Sequence, residues 1–215
     1  MAETKSARQP NSRRKGSPAE IASRERIVAG ARHHFLTHGL RGVTMDELAK
    51  ELGVSKKTLY AYFPSKTALV EAALLDKFQE IEGELERISS ESSSDFVAAL
   101  HGMLACFQRH MDEIHPPFLR DIQREAPGMF ELVEVRRRRI VRRHFGRLLS
   151  DGRGAGIIRE DIAVDMMLEI LLGAVQTIMN PSKMAELGLS LTSGFMAIIS
   201  VFMRGVVTEQ GRSKI

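Results

Sequence analysis

The chain contains few of the residues that mark exported, disulfide-bonded or aromatic-rich proteins. It has one cysteine, Cys106, no tryptophan and only two tyrosines among 215 residues. A single cysteine excludes an internal disulfide framework and fits a reducing compartment. No apolar segment follows the basic start of the chain, and polar residues interrupt its longest apolar windows, so neither an export signal nor a membrane span is predicted. We therefore expect a cytoplasmic protein without a membrane partner.

Positive charge is concentrated toward the start of the chain. The formal net charge is +4, yet residues 1–70 alone carry 13 Lys and Arg against 6 Asp and Glu, a balance of +7. Such an asymmetry indicates that this part meets a polyanion. Residues 1–20 hold almost no apolar side chains, and they are predicted to form a disordered basic arm.

Helical patterns dominate the remainder. Apolar residues recur every three or four positions between breaks rich in Gly, Pro and Ser, and no sustained strand-like alternation is present. The sequence therefore predicts an all-α protein of about nine helices. Residues 21–68 are assigned to a first helical domain and residues 69–215 to a second.

Two short predicted helices flank a glycine turn. The first opens at Thr44, which stands three residues before Glu47 as in a capping box. Gly53 ends that helix, and Ser55 is a natural N-cap for the next one. Two short helices joined by such a turn match a helix-turn-helix.

The second of these helices has one apolar edge and one polar arc. Leu59 and Phe63 share the edge that must pack inward, whereas Ala61 is centred on the arc that faces away, with Tyr60 and Tyr62 to either side. A major groove favours a small residue at closest approach, flanked by donors. The candidate DNA contacts of this segment are Lys56, Lys57, Thr58, Tyr60, Ala61 and Tyr62.

The block from Arg24 to Leu75, RERIVAGARHHFLTHGLRGVTMDELAKELGVSKKTLYAYFPSKTALVEAALL, closely resembles the DNA-binding domain of the TetR family of bacterial transcription regulators. The residues that match the family pattern are Ile27, Ala31, Phe35, Gly39, Thr44, Leu48, Ala49, Gly53, Val54, Ser55, Thr58, Leu59, Tyr60, Phe63 and Lys66. Gly30 departs from the alanine usual there and His34 from the usual apolar residue. Gly30 is expected to cost about 1 kcal/mol of helix stability.

The resemblance implies a homodimer whose two helix-turn-helices read a palindromic double-stranded DNA operator. Residues 21–68 are then the helix-turn-helix DNA-binding domain, and residues 69–215 are the helical regulatory and dimerisation domain. The positions that match phosphate contacts of the family are Thr44, Tyr60, Tyr62 and Lys66. Those that match base contacts are Lys56, Lys57, Thr58 and Ala61. Lys66→Ala is accordingly expected to weaken binding to all DNA sequences alike and to lower the salt slope by about 1.

The resemblance also implies that the last two helices form a four-helix dimer interface and that a small-molecule inducer binds within the second domain. The apolar stripe residues assigned to the interface are Leu171, Val175, Phe195, Ile199, Phe202 and Val206. The candidate pocket residues are Met103, Phe107, Met111, Phe118, Met129, Phe130, Met167 and Gln176. An apolar pocket of this kind favours a lipophilic ligand, although each of these residues taken singly also fits an ordinary helical core.

Other features of the sequence predict no chemistry. No nucleophile elbow, metal motif or acid–base pair is visible, so we expect neither an enzyme nor a cofactor. His34 and His38 have helical spacing but no further ligand near them in sequence, and Cys106 is expected to be a buried, inert thiol. The arginines between Arg136 and Arg147 are expected to be solvated or paired with acids.

A second interpretation of the whole chain stays open. The alternative is an all-α ligand-binding or scaffolding protein with a helix-turn-helix that no longer reads DNA. Lys57 and Tyr60 are among the DNA-facing residues whose joint presence favours the regulator.

Overall fold

The computed structural model describes residues 17–92 and 95–213, and within these ranges the chain forms α-helices and no β-strand. The predicted all-α fold class is confirmed. Most of the predicted N-terminal arm, residues 1–16, lies outside the described residues. The first helix begins at Pro18, within the segment assigned to that arm, because Ser17 and Glu20 form a capping box.

The N-terminal part is built from three helices and the start of a fourth. They are α1 (Pro18–His38), α2 (Met45–Glu51), α3 (Lys56–Tyr62) and α4 (Lys66–Glu91). The side chains of Thr44, Ser55 and Ser65 each accept a backbone N–H in the first turn of α2, α3 and α4. These caps satisfy amides that have no partner inside the helix, which explains where the short helices start.

The C-terminal part contains the remaining helices. They are α5 (Phe96–Asp112), α6 (Pro116–Glu125), α7 (Pro127–Ile140), α8 (Gly146–Gly154), α9 (Val164–Ile178), α10 (Pro181–Leu187), α11 (Leu191–Val206) and α12 (Glu209–Arg212). Each of the nine predicted helices has a counterpart. The short α10 and α12 are additional. The apolar spacing predicts a single long seventh helix from Pro127 to Leu149, which a π-helical turn, Val141–Phe145, divides into α7 and α8.

Buried apolar side chains form two cores. The first joins α1, α2, α3 and the start of α4, and it also takes Phe118 and Ile122 from α6. The second joins the end of α4 with α5, α8, α9 and α11. Because α4 is one unbroken helix that contributes Leu69 to the first core and Leu85 to the second, the predicted domain boundary after residue 68 falls inside a continuous helix.

The α1–α2 turn is held by a carboxylate from α6. One oxygen of Asp121, which is 9% exposed, accepts the backbone N–H groups of Leu40 and Arg41, each at 2.7 Å. Gly39 has a φ of 85°, and a Cβ there would lie 2.5 Å from the same carboxylate oxygen. Both the backbone conformation and the close approach of α6 therefore require glycine at this position.

The structure also explains the glycine at position 30. A Cβ at this position of α1 would overlap Cδ2 of Leu52, the residue that ends α2. The departure from the usual family residue thus accompanies a close approach of α1 to the end of α2.

Within the described residues, the helices are each too short or too polar to cross a membrane alone. Only α10 and α11 taken together satisfy the length and composition of a span, and they meet at an 83° bend.

Removing the Asp121 carboxylate is expected to destabilise the protein. Asp121→Ala leaves two backbone N–H groups of the α1–α2 turn without their charged acceptor, which costs about 2–4 kcal/mol of unfolding free energy. Urea denaturation measures this loss. Glu131→Ala, which removes an exposed acid on α7, should change the unfolding free energy by less than about 0.5 kcal/mol. Equal stability of the two variants would contradict a structural role for Asp121.

Candidate nucleic-acid interface and ligand cavity

The third helix is anchored on one side and exposed on the other. Leu59 is 0% and Phe63 3% exposed within the first core. Lys57 and Ala61 lie on the exposed side. Gly53, with a φ of 64°, makes the turn that directs α3 away from α2. The result is a short, protruding helix whose outer face has a small residue at its centre.

The polar side chains of α3 differ in whether they already have an ion-pair or hydrogen-bond partner. The Lys56 ammonium pairs with Asp46 of α2, although its side chain is 62% exposed. The Thr58 hydroxyl lies 2.8 Å from the Ser55 hydroxyl, inside the cap of the helix. Lys57 is exposed at the N-terminal end of α3. A polyanion that approaches this face can therefore contact Lys57 directly. Lys56 has to break its ion pair with Asp46 before it binds another anion.

The two tyrosines are not equivalent. Tyr60 is 46% exposed. Tyr62 is partly buried, packs against the first core and has its ring centroid 6.5 Å from that of Phe63. The sequence predicts that the two rings lie symmetrically about Ala61, but the side chain of Tyr62 is partly buried against the first core.

Thr44 serves the fold at the start of α2. Its hydroxyl donates to the Glu47 carboxylate at 2.8 Å, and its backbone N–H donates to the same oxygen at 2.7 Å. These hydrogen bonds hold the pKa of Glu47 below its usual range. A phosphate that binds the Thr44 hydroxyl would have to displace this carboxylate.

Lys66 points into the protein. Its ammonium donates to the backbone carbonyls of Leu40 and Val43, the latter at 2.7 Å, so it holds the same α1–α2 turn whose amides Asp121 accepts. The sequence assigned Lys66 to a DNA phosphate. The structure instead directs two of its three donors to backbone oxygens, because the start of α4 lies beside this turn.

Lys66→Ala is therefore expected to lower the unfolding free energy by about 1–3 kcal/mol, since two carbonyls of the turn lose a charged donor. The matched change Lys57→Ala, on the exposed side of α3, should leave stability within about 0.5 kcal/mol of the parent and lower the salt slope of DNA binding by about 1. Denaturation and DNA titrations at several salt concentrations separate the two effects. An unchanged stability and a lowered salt slope for Lys66→Ala would support the phosphate contact instead.

An apolar cavity of about 190 Å³ lies between α4, α5, α6 and α7. The predicted pocket residues that line it are Phe107, Met111, Phe118 and Phe130. The other predicted residues lie elsewhere. Met103 and Met167 are buried in the second core, Met129 lines a separate small cleft beside Lys66, and Gln176 is exposed on α9.

Sequence reasoning missed the α4 and α7 walls of this cavity. Phe78 and Ile81 come from α4, and Val133 and Ile140 come from α7. Their helical spacing is that of any core-facing stripe, so only the packing distinguishes cavity from core.

Charged groups also reach the cavity wall. Lys77 is 4% exposed and its ammonium lies 2.6 Å from a carboxylate oxygen of Glu113. Arg137 pairs with Glu134, and burial lowers the pKa of its guanidinium. The cavity thus combines a mainly apolar lining with two cations that are already paired.

A surface groove of about 540 Å³ adjoins the cavity. It lies between the start of α6 and α10, and it shares Met111, Ile114, Leu119, Pro181 and Leu191 with the cavity lining. The groove and the cavity are therefore separated by a wall that these five side chains form.

The six residues predicted for the dimer interface are buried within one protomer, each no more than 8% exposed. They fill the second core because α9 and α11 pack against α5 and α8. An exposed apolar face lies beside these residues on α9, α10 and α11, and Leu171 and Phe202 also line a cleft in it. Its residues are Met166 and Ile170 of α9, Leu187 of α10, and Met196 and Val201 of α11, and Val201 is 76% exposed.

Arginines of α7 and the π-helical turn pair with acids from other helices. Arg138 and Arg142 both contact Glu169 of α9, and Arg143 contacts Glu86 of α4. These ion pairs link the basic segment to α9 and α4, and pairing with acids is one of the two arrangements expected from the sequence.

An all-α chain that presents a short, basic, exposed helix after a glycine turn has the architecture of a helix-turn-helix transcription regulator. The sequence profile described as bacterial regulatory proteins, tetR family, matches residues 27–73. The repressor KstR2 of Mycolicibacterium smegmatis is 25% identical over 72% of this chain and 77% of its own. The repressor AcnR of Corynebacterium jeikeium is 28% identical over 73% of this chain and 80% of its own.

Solved structures share the fold. SmeT in complex with triclosan superposes with a TM-score of 0.64 at 19% identity and covers 87% of this chain and 93% of its own. SmeT is described as the repressor of the multidrug efflux pump SmeDEF of Stenotrophomonas maltophilia. Residues 27–73 thus match the DNA-binding domain of the TetR family of bacterial transcription regulators, and the chain is similar over most of its length to two repressors.

Proposed function

We propose that this protein is a homodimeric repressor that binds a palindromic operator through α3 and is released from it by a small lipophilic ligand. The repressors KstR2 and AcnR, which resemble it over most of the chain, support this role. A repressor of chromosomal genes acts in the cytoplasm, where we place it.

One helix carries this proposal. The residues Phe118, Leu119 and Ile122 of α6 line the cavity, and Asp121 of the same helix holds the backbone of the α1–α2 turn. A displacement of α6 by a ligand therefore acts directly on the position of α2 and α3.

The volume of the cavity suggests how such a displacement arises. Ligand sites for drug-sized molecules measure about 300–1,000 Å³, which is larger than the 190 Å³ present between α4 and α7. A ligand of that size must move the walls outward. Since packed interiors deform little, we expect α6 or α7 to shift as a unit.

Ligand and DNA then compete through two conformations of the dimer. A ligand shifts the equilibrium only by its difference in affinity for the two states, and couplings of about 1–3 kcal/mol are typical. A coupling in this range weakens operator binding by about 5- to 150-fold. The apolar lining favours a lipophilic ligand, and binding of triclosan by the structurally similar SmeT agrees with such a class.

A second copy of the chain is the partner that we assign to the exposed face of α9, α10 and α11. Five of the eight large exposed apolar side chains of the described residues lie there. A two-fold arrangement of α9 and α11 would bury this face in a four-helix packing. It would also place two α3 helices in one particle, as a palindromic operator requires.

The function is tested by titrating the purified protein with DNA from upstream of its own gene and with a shuffled control, at two salt concentrations. Preference for the upstream DNA, with an affinity that falls steeply as salt rises, is the expected result. Tyr60→Ala should weaken binding, since the exposed phenol lies beside the groove-facing arc. Equal and weak binding to both DNAs would favour an operator elsewhere or a helix-turn-helix without DNA function.

Val201→Asp is expected to convert the dimer to a monomer, because it places two carboxylates in an apolar interface. Analytical ultracentrifugation measures the oligomeric state. Val135→Asp is the matched control, since Val135 is 61% exposed on α7, away from the proposed interface. Dimers of equal stability in both variants would locate the interface elsewhere.

Filling the cavity is expected to abolish ligand binding. Val133→Phe adds volume at the α7 wall, so a probe such as triclosan should no longer raise the melting temperature. Val135→Phe, two residues along on the exposed side, should behave as the parent. A parent protein that shows no shift with triclosan or other lipophilic compounds would count against a lipophilic ligand, and equal shifts in both variants would place the ligand site elsewhere.

A further inference from the structure

Three metal-ligating side chains converge between α4 and α5. Cys106 and His110 stand one turn apart on α5 and are 0% and 5% exposed. Glu84 approaches from α4 with a carboxylate oxygen 3.0 Å from Nε2 of His110. One ligand atom from each of the three lies within 4.8 Å of the others.

One ring nitrogen of the buried His110 lacks a hydrogen-bond partner. Its Nδ1 is buried without a hydrogen bond, although the Glu113 carboxylate is 3.7 Å away. If Nε2 carries the proton and donates to Glu84, Nδ1 is an acceptor that faces another acceptor. A metal ion on Nε2 would move the proton to Nδ1, which then faces the Glu113 carboxylate. Carboxylates support metal-bound histidines in this way in many proteins.

We propose that Glu84, Cys106 and His110 bind one zinc ion between α4 and α5. A thiolate, an imidazole and a carboxylate form a donor set that suits zinc, whereas magnesium and calcium prefer oxygen alone. Zinc is usually bound by four ligands, so a fourth position remains for water. Because His110 also lines the cavity, the ion would lie at the cavity wall.

The charges around the cluster are compatible with a divalent ion. Burial, followed by the charge of Glu84, raises the pKa of the Cys106 thiol to about 12. A zinc ion that binds here has to displace the thiol proton, which leaves to solvent, and the ion's two charges are then balanced by the thiolate and the Glu84 carboxylate.

Two neighbouring cations are already paired. Arg109 contacts Oε1 of Glu84, which leaves Oε2 facing His110, and Lys77 is 2.6 Å from Glu113 and 3.9 Å from Glu80. Their charges are thus partly neutralised before the ion binds.

The test uses the full-length protein, stripped with a chelator and then titrated with Co²⁺ and with Zn²⁺. We expect one ion per chain at this site, a thiolate-to-cobalt charge-transfer absorption that zinc abolishes, and a melting temperature that rises with zinc. Cys106→Ser and His110→Gln should lose all three signals. His101→Gln, which removes an exposed histidine of the same helix, should retain them.

Glu84→Gln provides a further variant, because Glu84 is partly exposed and its replacement disturbs the core least. Circular dichroism establishes that each variant is folded. A parent protein without the charge-transfer absorption overturns the proposal, and so does zinc binding that Cys106→Ser and His110→Gln leave unchanged. The latter would locate the metal at other histidines, such as His34 beside Glu51. None of these outcomes depends on DNA binding.

Discussion

The contact between the Asp121 carboxylate and two backbone amides is the interaction on which the arrangement of the two cores depends. A buried carboxylate is stable only if its charge is met by donors, and the Leu40 and Arg41 amides supply them. The α1–α2 turn receives donors in return from Lys66, which binds its carbonyls. A turn held by Asp121 and Lys66 cannot move without α6 or the start of α4, unless these hydrogen bonds break. The helix α3, which we propose to face DNA, is therefore coupled to the part of the protein that contains the cavity.

Three helices of the C-terminal half, α5, α9 and α11, each have two sides with different surroundings. In α9 and α11, one side fills the protomer core and the other is an exposed apolar face, which is why these helices are apolar over more of their circumference than one core requires. In α5, Phe107 and Met111 face the cavity, whereas Cys106 lies in the core beside Glu84 of α4. The buried Lys77 of this interior is paired with Glu113, because an isolated buried charge would be too costly.

Local sequence signals were sufficient for much of the N-terminal fold. Thr44 and Ser55 cap the helices that they were expected to begin, since capping depends on residues three positions apart. The long seventh helix was predicted without its π-helical turn, because apolar spacing does not reveal a local change in hydrogen-bond register. The apolar stripes of α9 and α11 are wide, and apolar spacing alone did not indicate which part of each stripe faces the protomer core. The six residues chosen for the interface proved to be buried.

The sequence by itself determined the all-α class, the helix-turn-helix and the exposed side of α3, because each follows from spacing within one or two turns of helix. Only the tertiary structure decided the direction of Lys66, the walls of the cavity and the exposed face of α9 and α11. It alone brought Glu84 to Cys106 and His110, which are 22 and 26 residues further along the chain. Contacts between helices depend on how each helix is rotated and how closely its neighbours pack, and periodicity within a single helix does not specify either.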